Sequence, residues 1–325
     1  TVTAESRPSS DEGVLILGSI DAGGGAVELA TKGGDMRIGG AISANDEIRL
    51  IGAAFADNEF LIESPLDTSL LSVNGGGGNN RLDFSGYGSS SLWIGADQLT
   101  NIDTLIGSGS DIDSFEGSAS RSGFYTVTGE NIATYEEGES RNIEIEGFER
   151  LAGSQFDDSF VIDVGPEGIF GGELDGRGGD DTFVFESGGI DSVYGGSGNT
   201  VGGDVIDYRS LNEDVFVDLE ERVATRLSYL SDIETFIGGG GASVISGSSG
   251  DDEIVITGDG EGSIAVPGDS FPESEAGGFA SPTLLAEMFF FEGFDEVSGS
   301  AGDDRFTVEI PNDQSFSGVL NGDDG

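Results

Sequence analysis

Short apolar–x–apolar triplets recur along this chain, separated by Gly, Asp or Asn, and the first groups of them can be laid over one another. Leu15-Ile16-Leu17, Ile20-Asp21-Ala22 and Val27-Glu28-Leu29 are followed by Met36-Arg37-Ile38, Ile42-Ser43-Ala44 and Ile48-Arg49-Leu50. Leu15 to Met36 and Val27 to Ile48 are each 21 positions apart, and Ile20 to Ile42 is 22. Each triplet predicts a short strand that sends two side chains to one face. Three such strands joined by tight corners make a loop of about 21–23 residues, too small to bury its own apolar face, so it has to stack on a copy of itself. The expected fold is therefore all-β: a parallel β-helix, or solenoid, with almost no α-helix.

A looser repeat follows. In four segments an Ile or Phe is followed by an apolar residue three positions on and by Gly two positions after that: Ile102, Leu105, Gly107; Phe148, Leu151, Gly153; Ile233, Phe236, Gly238; Phe294, Val297, Gly299. Their anchors lie 46, 85 and 61 positions apart, near multiples of one loop, with insertions expected at corners. A second frame places an Asp pair four and five positions after a Gly and an apolar strand behind it. Its copies are Gly153 with Asp157 and Asp158, Gly176 with Asp180 and Asp181, Gly247 with Asp251 and Asp252, and Gly299 with Asp303 and Asp304. Asp158 to Asp181 is 23 positions, about one loop. Phe160, Phe183 and Phe306 each stand two positions after such a pair, which predicts an aromatic stack in the core.

The reading by segments is a polar lead-in over 1–13 and one continuous solenoid over 14–325, with regular loops over 14–74 and Gly/Asp-rich loops over 75–325. A Pro-, Gly- and Ser-rich excursion from one corner is expected over 258–286, and a smaller one over 136–140. The chain starts at Thr1 and stops within the recurring motif at Asp323-Asp324-Gly325, so we expect a piece of a longer protein, continued end to end by more of its parent chain or by a neighbouring subunit.

Composition narrows the function. Asp and Glu number 62 against 13 Lys and Arg, a net charge of −49, which repels phosphate backbones and anionic lipid. Nucleic acid is excluded as a partner on that ground, and no apolar run is long enough for membrane insertion as a helix. The chain has no Cys and no His, which removes thiolate or imidazole zinc sites and His-dependent catalysis. Carboxylate pairs alone suffice for glycoside hydrolysis, but in so acidic a chain the corner motif itself supplies them. The Asp-rich corners read as wet and exposed, and no enzyme is expected. The single Trp93 at strand spacing reads as core, with an exposed sugar-stacking platform as the other reading.

The loops from Gly18 to Leu50 resemble the repeats of filamentous-haemagglutinin-like bacterial exoproteins, which form right-handed parallel β-helices. From about residue 75 the Gly-Asp-Asp frames are similar to degenerate nonapeptide repeats of haemolysin-type (repeats-in-toxin) calcium-binding proteins, and the stretch from Asp204 to Gly238 is similar to the spacers between such repeats in large adhesins. The resemblance departs from the family at Arg177, which stands at a Gly position, at Asn80, which stands at an Asp position, and in the absence of tandem copies. It implies a giant surface adhesin: an extracellular structural or adhesive rod at the bacterial cell surface, with cell-surface glycans as a further partner. It also implies calcium as the cofactor, at Asp157, Asp158, Asp180, Asp181, Asp251, Asp252, Asp303 and Asp304. On the residues alone two explanations of those Asp pairs stand side by side: oxygen ligands for a hard cation, or Asp hydrogen-bonding its own backbone at Gly-shaped turns. The alternatives to a rod are a carbohydrate-active β-helix and a calcium-dependent folding module of a secreted protein.

Overall fold

The computed structural model describes residues 2–5, 13–16, 18–88, 91–110, 112–138, 141–198, 202–267, 287–311 and 315–322. Among them the chain is almost all β, with no α-helix and one short 3-10 turn at Ala96–Gln98. Strands gather into sheets of 5, 16, 11 and 3 members, and most neighbours are parallel. Up to Leu99–Thr100 each repeat visits three sheets in turn, the 11-stranded sheet taking over the third place at Trp93–Gly95: Val27–Ala30, Met36–Ile38 and Ile42–Ala44 each pair with the equivalent strand of the next repeat, Ile48–Ile51, Asn58–Ile62 and Leu66–Thr68. After that the chain alternates between the 16- and 11-stranded sheets. Three strands per repeat have become two.

The inward positions form columns. On the 11-stranded sheet Ile94, Phe115, Leu151, Leu174, Val193 and Leu230 stand side by side in register and are all buried. On the 16-stranded sheet Tyr135, Tyr125, Phe160, Phe183, Ile206, Phe236 and Phe291 do the same. Tyr125, Phe160 and Phe183 stack with their rings nearly parallel, centroids 4.4 and 5.0 Å apart. The expected aromatic stack is present at Phe160 and Phe183, while Phe306 is half-buried on the last strand of the sheet, beside Ile254. Phe115 meets Tyr125 and Tyr135 edge-on across the interior, which joins the two sheets into one core.

Four expectations are corrected. The first repeat pairs Val14, not Leu15, with Met36, an offset of 22. Because strand side chains alternate, this one-residue slip buries Val14 and leaves Leu15 57% exposed. The lead-in is structured at Val2–Glu5, a strand paired with Val27–Ala30. Trp93 is not core: it is 55% exposed on the outer face of the 11-stranded sheet.

The fourth correction concerns the described residues of the insertions, which form antiparallel meanders within sheets. Phe124–Gly129, Ile132–Glu137 and Arg141–Glu146 run up, down and up. The last strand pairs with the preceding repeat at Thr104–Ile106, and the first pairs with the following repeat at Ser159–Asp163. The same topology recurs at Val215–Asp218, Val223–Ala224 and Leu227–Ser231, and again at Glu253–Gly258, Glu261–Val266 and Glu287–Glu292. Residues 258–266 of the expected excursion and Glu136–Glu137 of the smaller one therefore belong to hairpins; 268–286 and 139–140 lie outside the described residues. The first and third meanders share a turn signature, Val127-Thr128-Gly129 and Ile256-Thr257-Gly258, and each is followed by Glu-Gly-Phe, at 146–148 and 292–294.

The packing predicts a sharp contrast between neighbours. Phe183→Ala removes a ring held between Phe160 and Ile206 and should cost about 3–5 kcal/mol, whereas Leu15→Ser should stay within about 0.5 kcal/mol of wild type. Urea denaturation of both variants checks the core column and the slipped register together.

Candidate functional site

The Asp pairs lie where the chain leaves the 11-stranded sheet and enters the 16-stranded one. Asp157 and Asp158 precede the strand Ser159–Asp163, Asp180 and Asp181 precede Thr182–Ser187, Asp251 and Asp252 precede Glu253–Gly258, and Asp303 and Asp304 precede Arg305–Val308. In extended backbone two consecutive side chains point to opposite faces. The first Asp of each pair faces outward, and the second turns in: Asp158, Asp181 and Asp252 are buried, and Asp304 is half-buried. The expectation of wet, exposed corners therefore holds only for the outer member, with Asp157, Asp251 and Asp303 exposed and Asp180 half-buried.

The two members tie neighbouring repeats in opposite directions. The Asp158 N–H donates to Asp181 Oδ1 at 2.6 Å, while the Asp180 N–H donates back to Asp157 Oδ1 at 2.9 Å. The second pair of frames repeats this clasp: Asp252 N–H to Asp304 Oδ1 at 3.0 Å, and Asp303 N–H to Asp251 Oδ1 at 2.9 Å. The inward ladder continues beyond the motif, from Asp181 N–H to Asp204 Oδ1 at 2.7 Å and from Asp204 N–H to Glu234 Oε2 at 2.8 Å. At its other end the Gly123 and Ser154 N–H groups both donate to the Asp158 carboxylate.

Sequence reasoning missed the residues on which such ladders end. Asp103, Glu149, Glu234 and Asp295 each follow one of the four Ile or Phe anchors, and each accepts an N–H from an earlier repeat: Asn80 at 2.7 Å, Asp113 at 2.9 Å, Asp204 at 2.8 Å and Ser243 at 2.9 Å. The signal was available, since an acid stands directly after all four anchors. Asp113 was missed as well. It is fully buried and accepts the Leu92 and Ser108 N–H groups.

The Gly that opens each frame is explained by the carboxylate behind it. A Cβ at Gly176 would come within 2.2 Å of Asp181 Oδ2 and 2.6 Å of the Gly195 carbonyl oxygen, and one at Gly247 or Gly299 would meet Asp252 or Asp304 Oδ2 at 2.1 Å. The frame fixes a contact, not merely a turn.

Electrostatically these inward acids are unusual. Burial pushes Asp181 up to about 8, and the neighbouring carboxylates of Asp204 and Asp158 add to the shift against the hydrogen bond from Asp158 N–H. Burial likewise raises Asp204 to about 7 and Asp252 to about 6, and it raises Asp158. The Oδ2 atoms of Asp181, Asp204 and Asp304 are buried and make no hydrogen bond. The equivalent position of two earlier repeats, two residues before Phe60 and Leu82, carries an amide. Asn58 Nδ2 donates to the Gly75 carbonyl and Asn80 Nδ2 to the Asn101 carbonyl, both at 2.8 Å, so a donor at this position has an acceptor in the next repeat. Among the described residues no three acidic side chains converge as a metal-binding group. Each orphaned Oδ2 supplies one oxygen, where calcium takes six to eight.

No family model matches this chain, and no curated protein matches it.

Two tests follow from the geometry of the site. Gly176→Ala should destabilise by about 1–3 kcal/mol, the range for overpacking a filled site. Gly171→Ala, where a Cβ meets nothing within 4 Å, should be near neutral by the same denaturation measurement. The second test is pH. Asp181, Asp204 and Asp252 start from an ordinary value of 3.8 and are raised on folding, so the folded chain holds protons that the unfolded chain has released. Their contribution to stability is complete below the ordinary carboxylate value and is lost as pH climbs through about 6, 7 and 8. The melting temperature should fall between pH 5 and pH 9. Asp181→Asn keeps the acceptor for Asp158 N–H and carries no titrating proton, so it should flatten the curve and melt higher than wild type at pH 9.

Proposed function

We propose that this chain is a right-handed parallel β-helix serving as an extracellular structural or adhesive rod at a bacterial cell surface. The observation that carries the reading is the parallel register repeated at offsets of 21 to 24 residues: Val27 with Ile48, Ile20 with Ile42, Ser159 with Thr182, and Met36 with Phe60. Every repeat rests on its neighbours, and a stack of this kind grows along one axis without a second domain. Right-handedness follows the strong preference of parallel strand crossovers. The three S-shaped meanders lengthen one sheet at a time and keep the stack going. The acidic surface suits a rod that stays dispersed outside the cell.

A second reading is a rod loaded with calcium at the Asp pairs, favoured by the buried, unpartnered Oδ2 atoms of Asp181, Asp204 and Asp304. In that reading a cation stands where Asn58 and Asn80 place an amide nitrogen. In the first reading a proton does. Two measurements on the same sample separate them. Small-angle scattering should give a particle elongated along the stacking direction, about 70 Å for sixteen strands at ~4.8 Å; a sphere would end the rod reading. Calcium added to chelator-treated protein at constant ionic strength should raise the melting temperature saturably in the loaded reading, and not in Asp181→Asn. In the proton reading calcium changes nothing and lowering the pH stabilises instead.

A further inference from the structure

The outer face of the 11-stranded sheet carries a row of side chains that neither the core nor the ladders use. Trp93, Ser114, Arg150, Glu173, Ser192 and Tyr229 lie side by side in register on six neighbouring strands. The row begins and ends on exposed aromatics, Trp93 at 55% and Tyr229 at 39% exposure, five strand spacings or about 24 Å apart. Tyr194 lies 5.7 Å from Tyr229, ring centroid to ring centroid, and widens that end. Between them the Arg150 guanidinium is paired with Glu173 at 2.7 Å and with Asp175, flanked by the two serines.

The face is also hollowed. The strand Ile169–Asp175 bulges between Phe170 and Glu173, where Gly171 and Gly172 together oppose the single Asp191. A Cβ on Gly171 would project into open space, while one on Gly172 would strike the Glu149 carbonyl. Over this glycine floor lies a depression of about 460 Å³, bounded by Ile112, Ser114, Arg150, Glu173 and Asp191. A second depression of about 400 Å³ adjoins it through Asp191 and is floored by Gly168 and Gly189. Bulges of this kind commonly re-aim side chains beside binding sites.

We propose that this face binds a neutral glycan chain laid along the stacking direction, across the strands. A pyranose ring offers an apolar C–H face to an aromatic ring and hydroxyls to charged and polar groups around it. The row presents those partners in that order: aromatic platform, hydroxyl, ion pair, hydroxyl, aromatic platform. Polyanions are disfavoured because the only cation in the row is already paired and the chain carries −49 overall. The inference rests on the rod reading, since a straight stack is what keeps six strands in line, but the two fail separately: scattering tests the rod, and the measurement below tests only this face.

Trp93 is the sole tryptophan, so its emission reports on the row without a label. The probes are cellohexaose, chitohexaose and mannohexaose, with oligogalacturonate and heparin as polyanions. At least one neutral hexasaccharide should shift or quench the emission saturably. Tyr229→Ala and Arg150→Ala should weaken that binding about tenfold, the effect of one good contact, while Phe55→Ala, fully exposed elsewhere, should not. Gly171→Arg fills the depression from open space without touching the core and should abolish binding in a chain whose circular dichroism is unchanged. The proposal is overturned if no neutral probe alters the emission or if only the polyanions do. It is overturned equally if the emission depends on protein concentration alone and Tyr229→Ala abolishes self-association, which would make the face a contact between copies.

Discussion

Where a strand of the 16-stranded sheet begins, the N–H of the residue that opens it or stands just before it points along the stack and needs an acceptor, and a buried N–H left without one costs as much as a lost hydrogen bond. This chain meets that requirement with side chains. The N–H groups of Asn80, Asp158, Asp181, Asp204 and Asp252 each donate to a carboxylate of a neighbouring repeat. The outward Asp of a pair then returns a bond the other way. The opening Gly follows from the same constraint, because the inward carboxylate occupies the space a Cβ would need. So does burial of the acids, since a carboxylate that accepts from the edge of the core must sit in it. The repeat is short, its apolar content thin, and these clasps fix the register that keeps each apolar column aligned.

The cost of that arrangement is charge in a low-dielectric place. Buried carboxylates stacked one per repeat disfavour each other's ionised forms, and the chain treats its rungs unequally. Asn58 and Asn80 are neutral and donate onward to carbonyls. Asp158 is held by two backbone donors besides its place in the ladder. Asp181 and Asp204 have one donor each and an unpartnered oxygen, and they carry the largest upward shifts of the group. The middle of the ladder is thus the least well compensated, and a proton or a cation relieves it.

Much of the architecture was legible because strand patterns advertise themselves. Val27–Ala30, Ile48–Ile51 and Thr182–Ser187 stand where alternation puts them, and the offset of 23 between Asp158 and Asp181 is the observed register. The errors fall where the pattern is degenerate. Val14-Leu15-Ile16 is apolar throughout, so alternation cannot choose its face, and the register slipped by one. The meanders could not be read from period at all, since parallel and antiparallel strands share it; only the shared turn at Val127–Gly129 and Ile256–Gly258 marked two of the three. The Asp pairs were found but misplaced in depth, although two adjacent residues entering a strand must face opposite ways.

The acids after Ile102, Phe148, Ile233 and Phe294 carry a more general lesson about repeat chains. Their apolar neighbours explain why those segments pack, and a reading that stops there leaves the acid as surface decoration. Yet Asp103, Glu149, Glu234 and Asp295 end the ladders, the second, third and fourth of them three residues after a meander ends. A parallel ladder can run only while each repeat offers the next an equivalent acceptor, and a meander interrupts the equivalence. An anchor with an acid directly behind it places an acceptor without a full Gly-Asp-Asp frame, in a connection of only three residues such as Gly147-Phe148-Glu149. The long frames carry the stack forward, and the short ones let it change pattern without leaving an N–H unpaired.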